Sequence, residues 1–353
     1  MTGLYITIIA SVVGIVSWFL IGRVRFYLLK FQLIDYPNER SSHTKATTRG
    51  AGIGVLAVLL PVWIFITFLL PPQSQAEEMS RWIIPGLTLL LATISFLDDI
   101  RGLSQFTRLL MHAGAIITAV QLLPGPVFTS FLYPALDIFL ITIGWIWFMN
   151  LFNFMDGIDG ISGVETIAIA IGIYAIGAVF MPYSASYGQN LVIAAAMAGF
   201  LMWNWSPAKI FLGDVGSIPL GFLIGWHLLD LTANGFWEAA VILPLYYITD
   251  SSLTLIRRFL SGQSIWKAHR EHFYQVAVQK GWAHSTVARA IALTNVLLVI
   301  LAFFSAYPQL PVFISWLILL SACLVVALLI VWMLYGRDNK TDKTDQSKNN
   351  EYV

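Results

Sequence analysis

The sequence has 353 residues, of which 58% are apolar or aromatic and only 11% are Asp, Glu, Lys or Arg. Soluble globular domains carry roughly 25% charged residues, and the mean hydropathy of this chain is +0.76, so a water-soluble enzyme is excluded. The single cysteine, Cys323, excludes an internal disulfide framework. The net charge of +1 says nothing by itself about partners, and no nucleic-acid partner is expected.

Long apolar stretches with few charges are typical of helices that cross a bilayer, each of which needs about 20 residues. Eleven such stretches predict an all-α, polytopic integral membrane protein with about eleven transmembrane helices. They cover residues 3–22, 51–71, 82–97, 106–123, 131–152, 164–182, 189–205, 215–233, 236–256, 287–306 and 311–335. We expect a single transmembrane domain over 1–335, whose first stretch is a retained span rather than a signal peptide, and a polar, disordered tail over 336–353.

The distribution of Lys and Arg predicts the orientation, because cytoplasmic loops retain positive charge. With the N-terminus outside and the C-terminus inside, nineteen of the twenty Lys and Arg residues fall on the cytoplasmic side, and only Arg81 does not. The basic segment 23–30, with interleaved aromatic residues, is either an interfacial helix on the anionic inner leaflet or a helical extension of the first span.

Polar residues concentrate in a few short clusters, and the tightest clusters all fall on the predicted cytoplasmic side. Because unpaired polar groups at a membrane edge are costly, this agreement predicts a functional site on that face. The clusters are Asp98 and Asp99 at the end of the third span, Asn150, Asn153, Asp156 and Asp159 in NLFNFMDGIDG, Asn204 and Asp214 in NWSPAKIFLGDVGS, and His269 and His272 in AHREHFYQ.

Two of these clusters have the residue types of a metal and phosphate site. Adjacent carboxylates repel each other unless a cation compensates, so Asp98 and Asp99 indicate either a site for Mg²⁺ and phosphate or the solvated start of a loop. Asp214 stands between two glycines at the predicted start of the eighth span. It indicates either a metal ligand beside a diphosphate or a helix cap.

The other two clusters also allow two interpretations each. The segment NLFNFMDGIDG has two amides on one helix face and then two Asp-Gly pairs, so it forms either a plain turn or part of a polar site. His269 and His272 are three positions apart, and a helical turn would aim both at one spot. They contact phosphate together with Arg270, or they are incidental residues of a polar loop. A zinc site is not expected, because no Cys and few other His are nearby.

Five motifs follow one another along the chain. They are DYPNERSSH (35–43), LDDIRGLSQFTRLL (97–110), NLFNFMDGIDGISG (150–163), NWSPAKIFLGDVGS (204–217) and HREH (269–272). In this order and spacing they resemble the polyprenyl-phosphate N-acetylhexosamine-1-phosphate transferases, and the likeness covers nearly the whole chain. This membrane superfamily includes the enzymes that start O-antigen and enterobacterial common antigen synthesis, and the phospho-MurNAc-pentapeptide translocases are its relatives.

The resemblance implies a role for each cluster. Asp98 and Asp99 correspond to the acidic pair next to the lipid phosphate, Asp214 to the magnesium-binding acid, and Asn153 to an amide close to that metal. Lys45 and Arg49 correspond to donor contacts in the first cytoplasmic loop. The residues assigned to the surroundings of uridine diphosphate are Asn150, Asp156, Asp159, Asn204 and Phe211. Arg270 and the catalytic histidines His269 and His272 are assigned to the donor phosphates.

The implied reaction is transfer of HexNAc 1-phosphate from a UDP-N-acetylhexosamine to polyprenyl (undecaprenyl) phosphate. The lipid phosphate oxygen attacks the β-phosphorus and UMP leaves, with Mg²⁺ as cofactor and Mn²⁺ as a substitute. The implied setting is the inner (plasma) membrane with the site facing the cytoplasm, and a homodimer is a possible assembly. The loop TKATTRGAG and the motif HREH depart from the peptidoglycan and common-antigen branches, and lean toward initiation of the O-antigen of lipopolysaccharide.

Two other function classes fit parts of the pattern. A polytopic transporter with an acidic cation site on its cytoplasmic side predicts acids at mid-span and paired broken helices, whereas these clusters lie at predicted span ends. A lipid phosphotransferase of the CDP-alcohol type needs an Ala-Arg pair soon after the first Asp-Gly. Here Asp156-Gly157 is followed by Ile158-Asp159.

Overall fold

The computed structural model describes residues 2–32, 34–35, 46–69, 72, 74–128, 133–181, 185–264 and 269–335. The predicted substrate contact Lys45 and the predicted tail 336–353 lie outside these residues. The described helices are α1 (Thr2–Lys30), α2 (Ala51–Thr67), α3 (Gln75–Arg101), α4 (Gln105–Val120), α5 (Pro134–Phe154), α6 (Ile161–Phe180), α7 (Ala185–Asn204), α8 (Asp214–Ala233), α9 (Trp237–Ile242), α10 (Leu245–Leu260), α11 (Phe273–Gln279), α12 (His284–Ser305) and α13 (Val312–Leu334). The described strands are β1 (Ile34–Asp35), β2 (Thr47–Arg49) and β3 (Ile210–Phe211).

The helices confirm the predicted class, an all-α polytopic membrane protein. Among the described residues, seven helices are long and apolar enough to cross a bilayer: α1, α3, α5, α6, α8, α12 and α13. Helix α2 is a shorter apolar helix of 17 residues. Each of the eleven predicted stretches overlaps a helix, whereas the number of crossings and the orientation stay predictions.

Two helix boundaries differ from the predicted stretches. The first helix continues to Lys30, so the basic segment 23–30 is a helical extension of the first span. The ninth stretch is divided, because α9 ends at Ile242 and α10 begins at Leu245, after Pro244. Proline has no N–H to continue a helix and its ring collides with the preceding turn, which gives a physical reason for the break.

A small sheet joins two loops that are distant in sequence, and nothing in the apolar pattern predicts it. Strand β1 pairs antiparallel with β2, and β2 pairs parallel with β3. Thr48 lies opposite Ile210, and Arg49 lies opposite Phe211. The sheet therefore places the first predicted cytoplasmic loop beside the connection between α7 and α8.

Helix α8 lies at the centre of the bundle. Every residue from Val215 to Leu228 is buried, and the helix packs on α2, α3, α5, α6 and α9. Close packing on α5 depends on glycine, because a Cβ atom at Gly225 would collide with the indole of Trp145. Because α8 begins at Asp214, the helices that pack around α8 also fix the position of Asp214.

Candidate active site

Glycines at two helix starts bring the first predicted cytoplasmic loop against the start of α8. A Cβ atom at Gly52 would overlap the backbone of Gly216. A Cβ atom at Gly213 would lie 3.0 Å from Cγ of Arg49, and the φ of Gly213 is +75°, a conformation that glycine adopts without strain. The two segments therefore lie side by side, with Arg49 over the first turn of α8.

The closest polar contacts join three of the predicted site residues. Arg49 Nη2 forms an ion pair with Asp214 Oδ1. Asn153 Nδ2 donates to the same oxygen of Asp214 over 2.9 Å, and it also lies 2.8 Å from Ser217 Oγ. These contacts unite β2, the end of α5 and the start of α8, as the sequence clusters predict.

Asp156 lies in the same region, in the turn after α5. Its Oδ1 accepts a hydrogen bond from Ser162 Oγ over 2.7 Å. Burial raises the pKa of Asp156 from 3.8 to about 7, against the lowering effects of Ser162 and of the Arg49 charge, while Asp214 adds a further raising effect. Asp156 therefore interacts electrostatically with both members of the ion pair. We call Arg49, Asn153, Asp156 and Asp214 the Asp214 cluster.

The two predicted acids at the end of α3 have different surroundings. Asp98 Oδ1 accepts from the backbone N–H of Leu103 over 2.7 Å, and its Oδ2 pairs with Arg108 Nη1 at 2.9 Å. Asp99 is exposed. Helix α3 ends at Arg101. Gly102 follows it in a left-handed conformation, which turns the chain back toward α4. Asp98 is thus fixed by the start of the next helix, and Asp99 faces outward.

His112 connects the acidic pair with the Asp214 cluster. It is buried on α4, one helical turn after Arg108, and interacts electrostatically with Arg108, Asp98 and Asp214. Both groups of acids therefore belong to one electrostatic neighbourhood. Sequence reasoning missed His112, although a polar residue one turn after Arg108 on the same helix was a usable signal.

The two histidines of HREH contact each other. Their ring centroids are 5.0 Å apart, and His272 is 2% exposed while His269 is half-buried. Burial lowers the pKa of His269 from 6.5 to about 4, and the neighbouring His272 and the guanidinium groups of Arg258 and Arg257 add to this effect. Its Nδ1 is buried without a hydrogen-bond partner among the described residues. The imidazole of His269 is thus held in its neutral form at neutral pH.

Tyr274 joins the histidine segment to the Asp214 cluster. Its hydroxyl donates to the carbonyl of Phe154, the last residue of α5, over 3.0 Å. Its ring lies 5.8 Å from that of His272, and a Cβ atom at Gly157 would collide with its hydroxyl. Tyr274 also interacts electrostatically with Asp156. The third and fifth sequence motifs therefore meet at this tyrosine.

Two predicted pocket residues, Asp159 and Asn204, form hydrogen bonds with loop backbone. Asp159 Oδ2 accepts from the N–H of Ala208 over 3.1 Å, and its Oδ1 lies 3.3 Å from His284 Nδ1. Burial tends to raise the pKa of Asp159, but the contacts with His284 and Ala208 outweigh burial and lower it. Asn204 accepts from Gly160 N–H over 2.8 Å. These two side chains tie the turn after α5 to the loop after α7.

The remaining predicted contacts lie on α5, on β3 and in the histidine loop. Asn150 Nδ2 donates to the carbonyl of Ile146 within α5 over 2.7 Å. Phe211 is half-buried in β3, opposite Arg49. Arg270 lies in the histidine loop, where its carbonyl accepts from Gln279 Nε2 over 2.6 Å.

The oxygen atoms of the Asp214 cluster suit a hard cation that keeps part of its hydration shell. Among the described residues, no group of three or more His, Cys, Asp or Glu side chains is arranged to hold a metal. Asp214 offers one carboxylate, and rotation of the Asn153 amide would turn its oxygen toward the same point. Mg²⁺ is commonly bound by one or two carboxylates together with water and substrate phosphates, so these residues fit Mg²⁺ when a diphosphate supplies further oxygens.

Comparisons with known proteins show which sequences this chain is similar to. Residues 82–232 match the family model described as Glycosyl transferase family 4. The chain is 26% identical over 347 residues to the decaprenyl-phosphate N-acetylglucosaminephosphotransferase of Mycolicibacterium smegmatis, covering 85% of this chain and 81% of that protein. It is 27% identical over 306 residues to a probable undecaprenyl-phosphate N-acetylglucosaminyl 1-phosphate transferase of Bacillus subtilis, covering 78% of each.

A phospho-N-acetylmuramoyl-pentapeptide-transferase has about the same sequence identity to this chain. The phospho-N-acetylmuramoyl-pentapeptide-transferase of Streptococcus uberis is 26% identical over 282 residues, covering 71% of this chain and 80% of that protein. The matched family region contains nearly all of α8 together with Asp98, Asp99, Asp156 and Asp214, and the relatives extend the likeness over 71–85% of the chain. The chain is thus similar to glycosyl transferase family 4 over residues 82–232, and to these sugar-phosphate transferases over most of its length.

Proposed function

We propose that this protein transfers N-acetylhexosamine 1-phosphate from a UDP-N-acetylhexosamine to polyprenyl phosphate. The products are a polyprenyl diphosphate sugar and UMP. The observation that carries the proposal is the convergence of Arg49, Asn153, Asp156 and Asp214, which come from three distant segments. A cation, two acids and an amide at one point are the groups that a metal-bound diphosphate requires.

The Asp214 cluster would bind the donor. Arg49 is 41% exposed on its side chain, and its guanidinium can form paired hydrogen bonds to a phosphate. Asp214, Asn153 and Ser217 would hold Mg²⁺, which would neutralise charge on the diphosphate when it is bound. The neutral imidazole of His269, which is half-buried, would contact the phosphates.

The acidic pair would orient the acceptor. Asp98 holds Arg108 in place by their ion pair, and exposed Asp99 would contact the lipid phosphate. The second pKa of a phosphate is about 6, so the attacking oxygen is largely ionised at neutral pH and positioning matters more than proton removal. The new bond joins this oxygen to the β-phosphorus, and the bond to the bridging oxygen breaks as UMP leaves.

The setting follows from the same proposal. Polyprenyl phosphate is a membrane lipid, and the positive-inside distribution predicts that both acidic groups face the cytoplasm, where nucleotide sugars are made. We propose the inner (plasma) membrane, and initiation of a cell-surface polysaccharide such as O-antigen. The names of the relatives support N-acetylglucosamine as the first donor to test.

The direct test supplies membranes with a UDP-sugar labelled in the sugar and with undecaprenyl phosphate. We expect label to enter the organic phase together with one equivalent of UMP, and to do so only when Mg²⁺ or Mn²⁺ is added. UDP-N-acetylglucosamine and UDP-N-acetylgalactosamine compared in parallel identify the donor. Absence of lipid label from every UDP-N-acetylhexosamine, or release of UDP in place of UMP, would reject the proposed reaction.

The transporter alternative is tested with the same preparation. Asp98, Asp156 and Asp214 lie at helix ends or just beyond them, rather than at mid-helix. Cation or solute uptake by proteoliposomes without consumption of nucleotide sugar would favour a transporter.

A further inference from the structure

A buried carboxylate outside the Asp214 cluster organises the histidine motif. Asp250 is the sixth residue of α10 and is 0% exposed. Its Oδ1 lies 3.1 Å from His272 Nδ1 and accepts from Phe273 N–H over 3.1 Å. Its Oδ2 accepts from Tyr274 N–H over 3.3 Å and from the hydroxyl of Tyr246 over 3.1 Å. Three consecutive residues, His272 to Tyr274, therefore bond to one carboxylate.

These donors explain how a fully buried acid is stabilised there. An isolated buried carboxylate is strongly destabilising, and it is retained where hydrogen bonds satisfy both oxygens. The N–H groups of Phe273 and Tyr274 open α11, and such groups have no partner within their own helix. Asp250 thus caps α11 from a different helix. Its carboxylate oxygens and the first N–H groups of α11 satisfy each other's hydrogen-bonding capacity.

The contact with His272 has a consequence for its ring. A carboxylate that accepts from one imidazole nitrogen fixes both the tautomer and the orientation of the ring. Here the proton is placed on Nδ1, so Nε2 is the nitrogen left to accept a proton or hydrogen bond. The rings of Tyr274 and His269 pack on His272 at 5.8 Å and 5.0 Å, and restrain it further.

The same network extends to the donor-binding side. Tyr274, whose N–H bonds to Asp250, donates its hydroxyl to the carbonyl of Phe154, next to Asn153 in the chain. A shift of Asp250 would therefore move the histidine segment relative to the end of α5. No other carboxylate is within hydrogen-bond distance of His272 among the described residues.

We propose that Asp250 is a positioning residue of the transfer reaction, which acts by holding His272 as the Nδ1–H tautomer and so places the HREH segment against the Asp214 cluster. This inference rests on the proposed function, because it assigns the histidine segment to the donor phosphates. Asp250 is fully buried, so it does not reach a ligand itself. It acts through His272 and Tyr274.

The test compares two variants that make the same chemical change. Asp250→Asn and Glu165→Gln each replace a fully buried carboxylate by an amide, and the carboxylate of Glu165 accepts from Asn295 of α12 over 2.7 Å. We expect kcat to fall about 10- to 100-fold for Asp250→Asn, the usual loss for an orienting partner. We expect Glu165→Gln to stay within about 3-fold of wild type, as the baseline for this exchange.

A double-mutant cycle separates positioning from general structure. If Asp250 acts through His272, the double mutant should have a kcat less than about 3-fold below that of His272→Ala alone. The reason is that the effects of two residues that act as one unit do not add. Losses that multiply would overturn the proposal. Equal kcat values for Asp250→Asn and Glu165→Gln would overturn it as well.

A measurement without turnover keeps the inference independent of the reaction. In protein labelled with ¹⁵N-histidine, the His272 signals, assigned by their loss in His272→Ala, should show a protonated Nδ1. A protonated Nε2 with bare Nδ1 in the wild-type protein would overturn the inference even if Asp250→Asn failed to fold. Absence of lipid labelling by wild type would reject the proposed function, whereas this spectrum would still decide whether Asp250 holds the ring.

Discussion

Arg49 and Asp214 form an ion pair across 165 positions of sequence, at the point where a bound metal would need the same carboxylate oxygen. Asn153 donates to that oxygen as well. A guanidinium and a divalent cation repel each other, so they cannot share one oxygen at close range. We therefore expect Arg49 to exchange Asp214 for a donor phosphate when Mg²⁺ binds.

Arg49→Ala should weaken donor binding more than metal binding. Charge-assisted hydrogen bonds contribute about 1.5–3 kcal/mol, so the KM for the UDP-sugar should rise about 10- to 100-fold. The Mg²⁺ concentration for half-maximal rate should stay equal or fall, because a competing cation has been removed. Initial rates over a grid of UDP-sugar and Mg²⁺ concentrations measure both. Arg25→Ala is the control, since Arg25 donates to the carbonyl of Lys209 outside the Asp214 cluster. A raised Mg²⁺ requirement with unchanged donor KM would contradict the exchange.

Asp214→Asn should nearly abolish transfer. The change removes the negative charge proposed to hold the metal, and kcat/KM should fall about 100-fold or more, as for other losses of transition-state charge stabilisation. Asp230→Asn is a matched control near the other end of the same helix, α8. Both proteins should reach wild-type abundance in membranes. Turnover close to wild type in Asp214→Asn would remove this residue from the site.

Asp156 should give the substrate-free protein a pH-dependent stability of defined sign. Because burial raises its pKa from 3.8 to about 7, the folded protein retains a proton that the unfolded chain has lost between these values. The contribution of Asp156 to the free energy of unfolding is fully present below pH 4 and is lost as the pH rises toward 7. The Tm in detergent should therefore fall between pH 5 and pH 7.5 by more in wild type than in Asp156→Asn.

Ser162→Ala provides the second arm of this comparison. The Ser162 hydroxyl donates to Asp156 and lowers its pKa, so its removal should raise the pKa further and extend the fall in Tm to higher pH. Identical pH slopes in wild type and Asp156→Asn would show that Asp156 ionises normally in the folded protein.

The sequence was sufficient to predict the helices and part of the site. Apolar stretches of about 20 residues have few physical outcomes other than a membrane helix, and unpaired polar groups at their ends require partners. Arg49, Asn153, Asp156 and Asp214 were predicted on this basis and by resemblance, and the structure brings them together. Their assigned roles stay proposals.

The contacts made by other polar residues were beyond sequence reasoning. Asp250 and His272 are 22 positions apart, and no periodicity fixes the register between α10 and the loop that follows it. Asp159 and Asn204 stay predicted at the nucleotide, and the structure adds that their oxygens accept from backbone N–H groups of neighbouring loops. Composition shows that a polar group needs a partner, but only tertiary structure selects the partner.

Gly157→Ala should destabilise the protein through a single contact. The new methyl group would collide with the hydroxyl of Tyr274, and overpacking of this kind costs about 1–3 kcal/mol. The Tm in detergent should fall, together with transfer activity, because Tyr274 joins the histidine segment to α5. Gly144→Ala, on α5 with open space around it, should leave both unchanged. Adding Tyr274→Phe to Gly157→Ala should restore part of the Tm, because it removes the colliding oxygen. A Tm for Gly157→Ala equal to that of Gly144→Ala would show that Tyr274 does not pack over the turn after α5.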